Sequence, residues 1–294
     1  MDICQMNAYA KINLGLDVVC RLDNGYHEVR MVMQTVGIYD VLTFERFDFK
    51  EGQPQIVITT DSGELPTDEN NLIYKAAKLM IEQYHIREGV RIHLDKHIPI
   101  AAGMAGGSAD AAATMKGINS LLGLQIPREE LMTLGVRIGA DVPYCILGGS
   151  ALAEGIGEKL TVLPAAPSCY LVVAKPDIDV STRHVYEHLD EEGITGHPDI
   201  DGMVAAISED DLSGVVSRLG NVLEDVTVKE YPIIRSIKER MLELGAKGSL
   251  MSGSGPAVYG IFDDEETALS AYQQICEEHL TKQTFITTFV NLLY

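Results

Sequence analysis

Short stretches of this 294-residue chain carry residue types that packing alone does not call for. The first is Pro99 to Met115, PIAAGMAGGSADAAATM, where Gly103, Gly106 and Gly107 lead into a run of alanines. Glycine lets a ligand approach the main chain closely, and alanine is the strongest helix former. With Ser108 as N-cap, the stretch is predicted to be a glycine loop feeding a helix N-terminus. Unpaired amides and the positive dipole end there favour an anion, above all phosphate. This is no Walker loop, since Ser108-Ala109-Asp110 stands where that motif has a lysine and a hydroxyl residue. A tight turn between helix and sheet is the alternative reading. Three glycines, a capping serine and an unbroken helix favour phosphate.

Lys11 lies in an otherwise uncharged stretch, AYAKINLGL, where a lysine is costly unless it finds an anion or reaches the surface. Asp141 sits in Gly139-Ala140-Asp141-Val142-Pro143, again in apolar company, and reads either as an N-cap or as a proton acceptor. Ser252-Gly253-Ser254-Gly255-Pro256 is a second glycine turn, ahead of an apolar strand. His184 and His188 have metal-ligand spacing without a third ligand, and a solvated helix face accounts for them.

The elements that must hold these residues follow from periodicity. Alternation predicts strands around Lys11 to Val19, from Val36 to Phe49, at Ile56 to Ile58 and at Val90 to Asp95. Asp23-Asn24-Gly25 is a turn. Asn70 precedes a helix carrying Leu72, Ala76, Leu79 and Met80, and Pro127 opens another that runs to Gly139. Leu163-Pro164-Ala165-Ala166-Pro167 is the linker candidate, dividing the chain into 1–162 and 163–294. Beyond it, helices near 182–189, 211–219, 233–244 and 265–279 alternate with strands at 169–174, 257–262 and 284–292. Residues 193–201 are expected to form a mobile loop. The fold class is α+β.

A net charge of −20 argues against nucleic acid or an anionic membrane as partner. It also leaves a polyphosphate dependent on local attraction from helix N-termini, a few lysines and a metal ion. Five unpatterned cysteines, with no signal segment, point to a reducing, cytoplasmic setting.

Together these stretches resemble the GHMP kinases. Pro99 through Ser108 matches the family's ATP loop, and Ser252 to Pro256 matches its C-terminal glycine motif. Ala8 to Leu14, Gly25-Tyr26-His27, Gly139 to Pro143 and Glu154-Gly155-Ile156-Gly157-Glu158 resemble the members acting on cytidine-diphosphate methylerythritol. The resemblance implies an N-terminal domain like ribosomal protein S5 domain 2, a ferredoxin-like C-terminal domain and a cleft between them. It implies transfer of a phosphoryl group from ATP, with Mg²⁺, to the 2-hydroxyl of that substrate in non-mevalonate isoprenoid synthesis. By the same resemblance Asp141 is the base and Lys11 its partner. Pro99, Ala101, Ala102, Gly103, Met104, Ala105, Gly106, Gly107, Ser108 and Ala109 hold ATP, with the Ser108 hydroxyl on the metal. Tyr26 and His27 read cytosine, and Asn13, Thr182, Tyr186, Gly253 and Gly255 complete the substrate side. A monomer or weak homodimer is expected. The rivals are a kinase for homoserine, mevalonate or a sugar, a non-catalytic nucleotide sensor on the same fold, and an RNA-binding module.

Overall fold

The computed structural model describes residues 2–23, 25–194 and 196–291; Asn24 of the expected turn, Thr195 of the expected loop and Leu292 lie outside them. The strands are β1 (Ile3–Arg21), β2 (His27–Phe47), β3 (Ile56–Thr60), β4 (Gly89–Asp95), β5 (Ser150–Glu154), β6 (Lys159–Val162), β7 (Tyr170–Lys175), β8 (Gly220–Asn221), β9 (Gly248–Met251), β10 (Val258–Phe262) and β11 (Gln283–Thr288). The helices are α1 (Leu72–Tyr84), α2 (Gly106–Leu122), α3 (Arg128–Gly135), α4 (Val142–Leu147), α5 (Thr182–Glu192), α6 (Ile200–Ser208), α7 (Leu212–Ser217), α8 (Glu224–Glu230), α9 (Pro232–Glu243) and α10 (Glu265–Glu277).

The spine is the antiparallel pair β1–β2, and burial is continuous from Ala10 to Val18, so both faces of that stretch are covered. The pair is bent by register shifts, one of them between Tyr9 and Lys11. A bulge of this kind re-aims the chain. Here the Lys11 amide turns out of the ladder and donates to the Met104 carbonyl at 3.1 Å. Since β2 is 21 residues long, it pairs with β4 at one end and with β5 at the other. The sheet runs β3-β4-β2-β1-β8, with β5 and β6 branching from β2. The helices α1 and α2 pack on each other, and α2 also packs on β1 and β2, burying Ala109, Ala111, Ala112, Ala113 and Met115.

A second sheet, β11-β7-β10-β9, follows residues 163–167, which have no regular structure. The halves are interleaved. β8 joins β1 in parallel, and α6 packs on β1 and β2. One apolar core accordingly takes residues from both halves, Leu14 and Phe44 beside Leu171, Met203 and Tyr259.

Several sequence expectations need adjusting. The cap of α1 is Asn71, whose side chain accepts from the Ile73 amide, rather than Asn70. The helix opened by Pro127 stops at Gly135, with turns up to Gly139. Residues 200 and 201 of the expected loop begin α6, capped by Asp199.

Candidate active site

A cavity of about 1010 Å³ opens between the β1–β2 hairpin, the glycine loop, α5 and the 252–256 turn. Its floor is the start of α2. That helix begins at Gly106 with Ala105 as N-cap, and no side chain caps it, so Ser108 lies inside the first turn instead of capping it. The first bond of the helix runs from the Ala109 amide to the Ala105 carbonyl at 2.8 Å. The amides of Gly106, Gly107 and Ser108 precede it, as free donors at a helix N-terminus do.

The loop is held open by backbone in the left-handed region, at Ala101 (φ 52°), Gly103 (φ 73°) and Ala105 (φ 57°). Alanine is strained there, which is common where a loop is shaped for a ligand. Gly103 is obligatory for a second reason, since a Cβ on it would lie 2.1 Å from the Ser252 carbonyl oxygen. The two glycine turns are thus stacked backbone to backbone. The Ser252 hydroxyl donates to the Gly103 carbonyl (3.0 Å), and the Ala257 amide donates to the Ala102 carbonyl (3.3 Å). Asn221 on β8 anchors the second turn, donating to the carbonyls of Met251 and Gly253 at 2.9 and 2.8 Å.

Lys11 is buried at 5% exposure, which rules out a surface role. Its Nζ donates to Asn13 Oδ1 at 2.7 Å and stands 3.9 Å from Asp141 Oδ2. Asp141 occupies the N-cap position of α4 yet makes no side-chain capping bond. Its carboxylate is 32% exposed and lines the cavity, and the side chain does not cap the helix. Beside it, burial pushes the phenol of Tyr186 up, and the Asp141 charge adds to the shift.

A second lysine cluster lines the same cavity. Lys96 Nζ bonds Asp40 and, at 3.0 Å, Asp110, all three being nearly closed to solvent. Asp40 also accepts from the amides of His97 and Ile98 at 2.6 and 2.7 Å. Burial, opposed by Lys96 and reinforced by Asp40, pushes the Asp110 carboxyl up to about 8. Burial works against the Lys96 charge, but the two carboxylates outweigh it and raise its pKa. Asp110 Oδ1 is buried without a hydrogen-bond partner among the described residues.

Toward the β1–β2 hairpin, Tyr26 stands on the rim at 58% exposure. The His27 ring lies against Tyr186, with centroids 4.7 Å apart. The Thr182 and Ser254 hydroxyls bond at 2.8 Å.

Most of the expected site residues meet here. Lys11, Tyr26, His27, Pro99, Ala101, Ala102, Gly103, Ala105, Gly106, Gly107, Ser108, Asp141, Thr182, Tyr186 and Gly253 all line the cavity. Four stand behind the wall. Met104 and Ala109 are buried, Asn13 is buried and holds Lys11, and a Cβ on Gly255 would meet Met251 Sδ at 2.6 Å. Sequence reasoning missed Arg21, Lys96, Asp110 and Asp190, all on the wall. Only Asp110, next to the glycine loop, carried a signal, as a charge inside an alanine run.

Two family models match the chain, GHMP kinases N terminal domain over residues 71–149 and GHMP kinases C terminal over residues 200–280. The chain is similar to the 4-diphosphocytidyl-2-C-methyl-D-erythritol kinase of Lachnospira eligens, 53% identical over 287 residues and 98% of both chains. It is similar also to the kinase of that name from Lachnoclostridium phytofermentans, 51% identical over 289 residues and 98% of both. A crystal structure of 4-(cytidine 5'-diphospho)-2C-methyl-D-erythritol kinase superposes with a TM-score of 0.82 at 30% identity, covering 97% of this chain and 99% of the other.

Proposed function

The chain belongs to the GHMP kinases, and on that premise we propose that it transfers the γ-phosphoryl group of ATP to the 2-hydroxyl of 4-diphosphocytidyl-2-C-methyl-D-erythritol. One observation carries the reading. A buried lysine and a carboxylate 32% exposed line the same cavity as an uncapped helix N-terminus and the Tyr26–His27–Tyr186 group.

Phosphoryl transfer is mostly positioning and electrostatic stabilisation. The Gly106, Gly107 and Ser108 amides hold the phosphates, and the α2 dipole attracts them despite the net charge of −20. Asp141 accepts the proton of the acceptor hydroxyl or holds that hydroxyl in line. Lys11, fixed by Asn13, sets the carboxylate from a distance of 3.9 Å. The Ser108 hydroxyl lines the cavity and has no protein partner among the described residues, which suits it to Mg²⁺ together with phosphate oxygens and water. When bound, the ion neutralises charge on the triphosphate.

We divide the chain at 162/163 into an ATP-binding domain and a C-terminal domain, with β8 and α6 crossing back to the first sheet. The five cysteines are free, in keeping with a cytoplasmic setting. Tyr26, His27 and Tyr186 give a pyrimidine base an aromatic seat. Homoserine, mevalonate and sugars have no base to place there.

The test is ATP consumption with cytidine-diphosphate methylerythritol, methylerythritol phosphate, homoserine, mevalonate and galactose as acceptors. Turnover of the cytidine compound above all others is expected. Faster turnover of homoserine or mevalonate would overturn the reading.

A further inference from the structure

His27 is reached from across the cleft by a residue the mechanism above does not use. Asp190, in the last turns of α5, accepts a hydrogen bond from His27 Nε2 through Oδ1 at 2.8 Å. Its other oxygen, Oδ2, lies 3.2 Å from Arg21 Nη1. Arg21 and His27 are register partners at the end of the β1–β2 hairpin. One carboxylate therefore ties both strands of the hairpin to α5, and all three residues line the cavity.

A carboxylate can only accept, so Nε2 must carry the hydrogen. In the neutral ring Nδ1 is then an acceptor. Nδ1 has no partner among the described residues, and His27 lines the cavity. Cytosine and uracil differ in what they offer at this edge. Cytosine has an exocyclic amine, a donor, where uracil has a carbonyl oxygen, an acceptor. Nδ1 as acceptor pairs with the amine and is opposed by the carbonyl.

We infer that Asp190, itself oriented by Arg21, is a positioning residue that fixes the His27 tautomer and so makes the site select cytosine over uracil. The inference rests on the cytidine reading of the preceding subsection. Asp190 does not touch the reacting atoms; it acts through His27. An asparagine there could present either its oxygen or its amide nitrogen, so the tautomer would no longer be imposed.

The experiment measures kcat/KM for the cytidine substrate and its uridine analogue in wild type, Asp190→Asn, Asp190→Ala and His27→Ala. Melting curves confirm that each variant is folded. Asp190→Ala is expected to lower the cytidine-to-uridine ratio by about tenfold or more, the scale of one lost or opposed hydrogen bond. Asp190→Asn should fall between Asp190→Ala and wild type. A variant that raises KM for both compounds equally and keeps the wild-type ratio has lost only a structural tie, and the inference is then wrong. Nitrogen-15 NMR of the histidine ring in the unliganded protein tests the tautomer without any substrate. A hydrogen on Nε2 in wild type, with a mixture in Asp190→Asn, supports the inference; a hydrogen on Nδ1 in wild type overturns it. Equal turnover of both nucleotides by wild type overturns the inference while leaving the cytidine compound a substrate; no turnover of the cytidine compound by wild type would sink the cytidine reading instead, and the two failures are thereby distinguished.

Discussion

Lys11 and Asp141 stand 3.9 Å apart with the carboxylate 32% exposed, whereas Lys96 is clamped between Asp40 and Asp110 with all three side chains at 7% exposure or less. Both clusters line one cavity beside the start of α2. In the first, lysine is held by a neutral amide, Asn13, and the carboxylate keeps lone pairs that reach water. In the second, Asp40 spends its lone pairs inside the protein, on Lys96 and on two backbone amides, while Asp110 bonds Lys96 and keeps one buried oxygen unpaired among the described residues. A carboxylate that must meet a substrate hydroxyl cannot be closed off by its own partners. One that must fix a loop can be. The contrast fits the proposed roles, Lys11 with Asp141 as the reacting pair and the Lys96 cluster as its support, although a sequence shows a lysine and an aspartate in both.

The strongest way to break this contrast is to remove one member of each cluster. Asp141→Asn should lower kcat by roughly 10²–10⁴, the scale of a lost general base, with ATP affinity and melting temperature close to wild type. Steady-state kinetics beside ATP titration decide it, and wild-type kcat in the variant would remove Asp141 from the mechanism. Lys96→Met should act on the fold, because it leaves Asp40 and Asp110 buried without their cation. A loss of about 3–5 kcal/mol in chemical denaturation is expected, as for one partner of a buried pair. Stability equal to wild type would show that the cluster is not a support.

A further effect sharpens the contrast through pH. A carboxyl whose folded pKa is raised is stabilising while protonated. The contribution of Asp110 is therefore full below the ordinary carboxylate range and is lost as pH climbs toward about 8. Denaturation midpoints between about pH 5 and pH 9 should fall in wild type and flatten in Asp110→Asn, which keeps the shape and cannot ionise. Parallel profiles in the two proteins would contradict this.

The glycine loop, the alanine helix behind it and the alternating strands were legible because each rests on interactions between near neighbours in the chain. Lys11 was legible as an anomaly, a charge where the pattern wanted an apolar side chain. A serine after glycines reads as a cap, but the left-handed Ala105 starts the helix earlier. Gly103 looked like a residue for approaching phosphate, and what demands it is the Ser252 carbonyl, 149 residues away along the chain.

Local sequence thus determined which segments became strand, loop and helix, and which residue types stood at the loop. Tertiary structure alone decided which charges met. Lys96 finds Asp40 at a separation of 56 residues, and His27 finds Asp190 at 163. Such pairs leave no periodicity, because neither partner's neighbours are constrained by the other. They are fixed only when sheet, helix and hairpin pack and burial makes an unpaired charge too costly to keep.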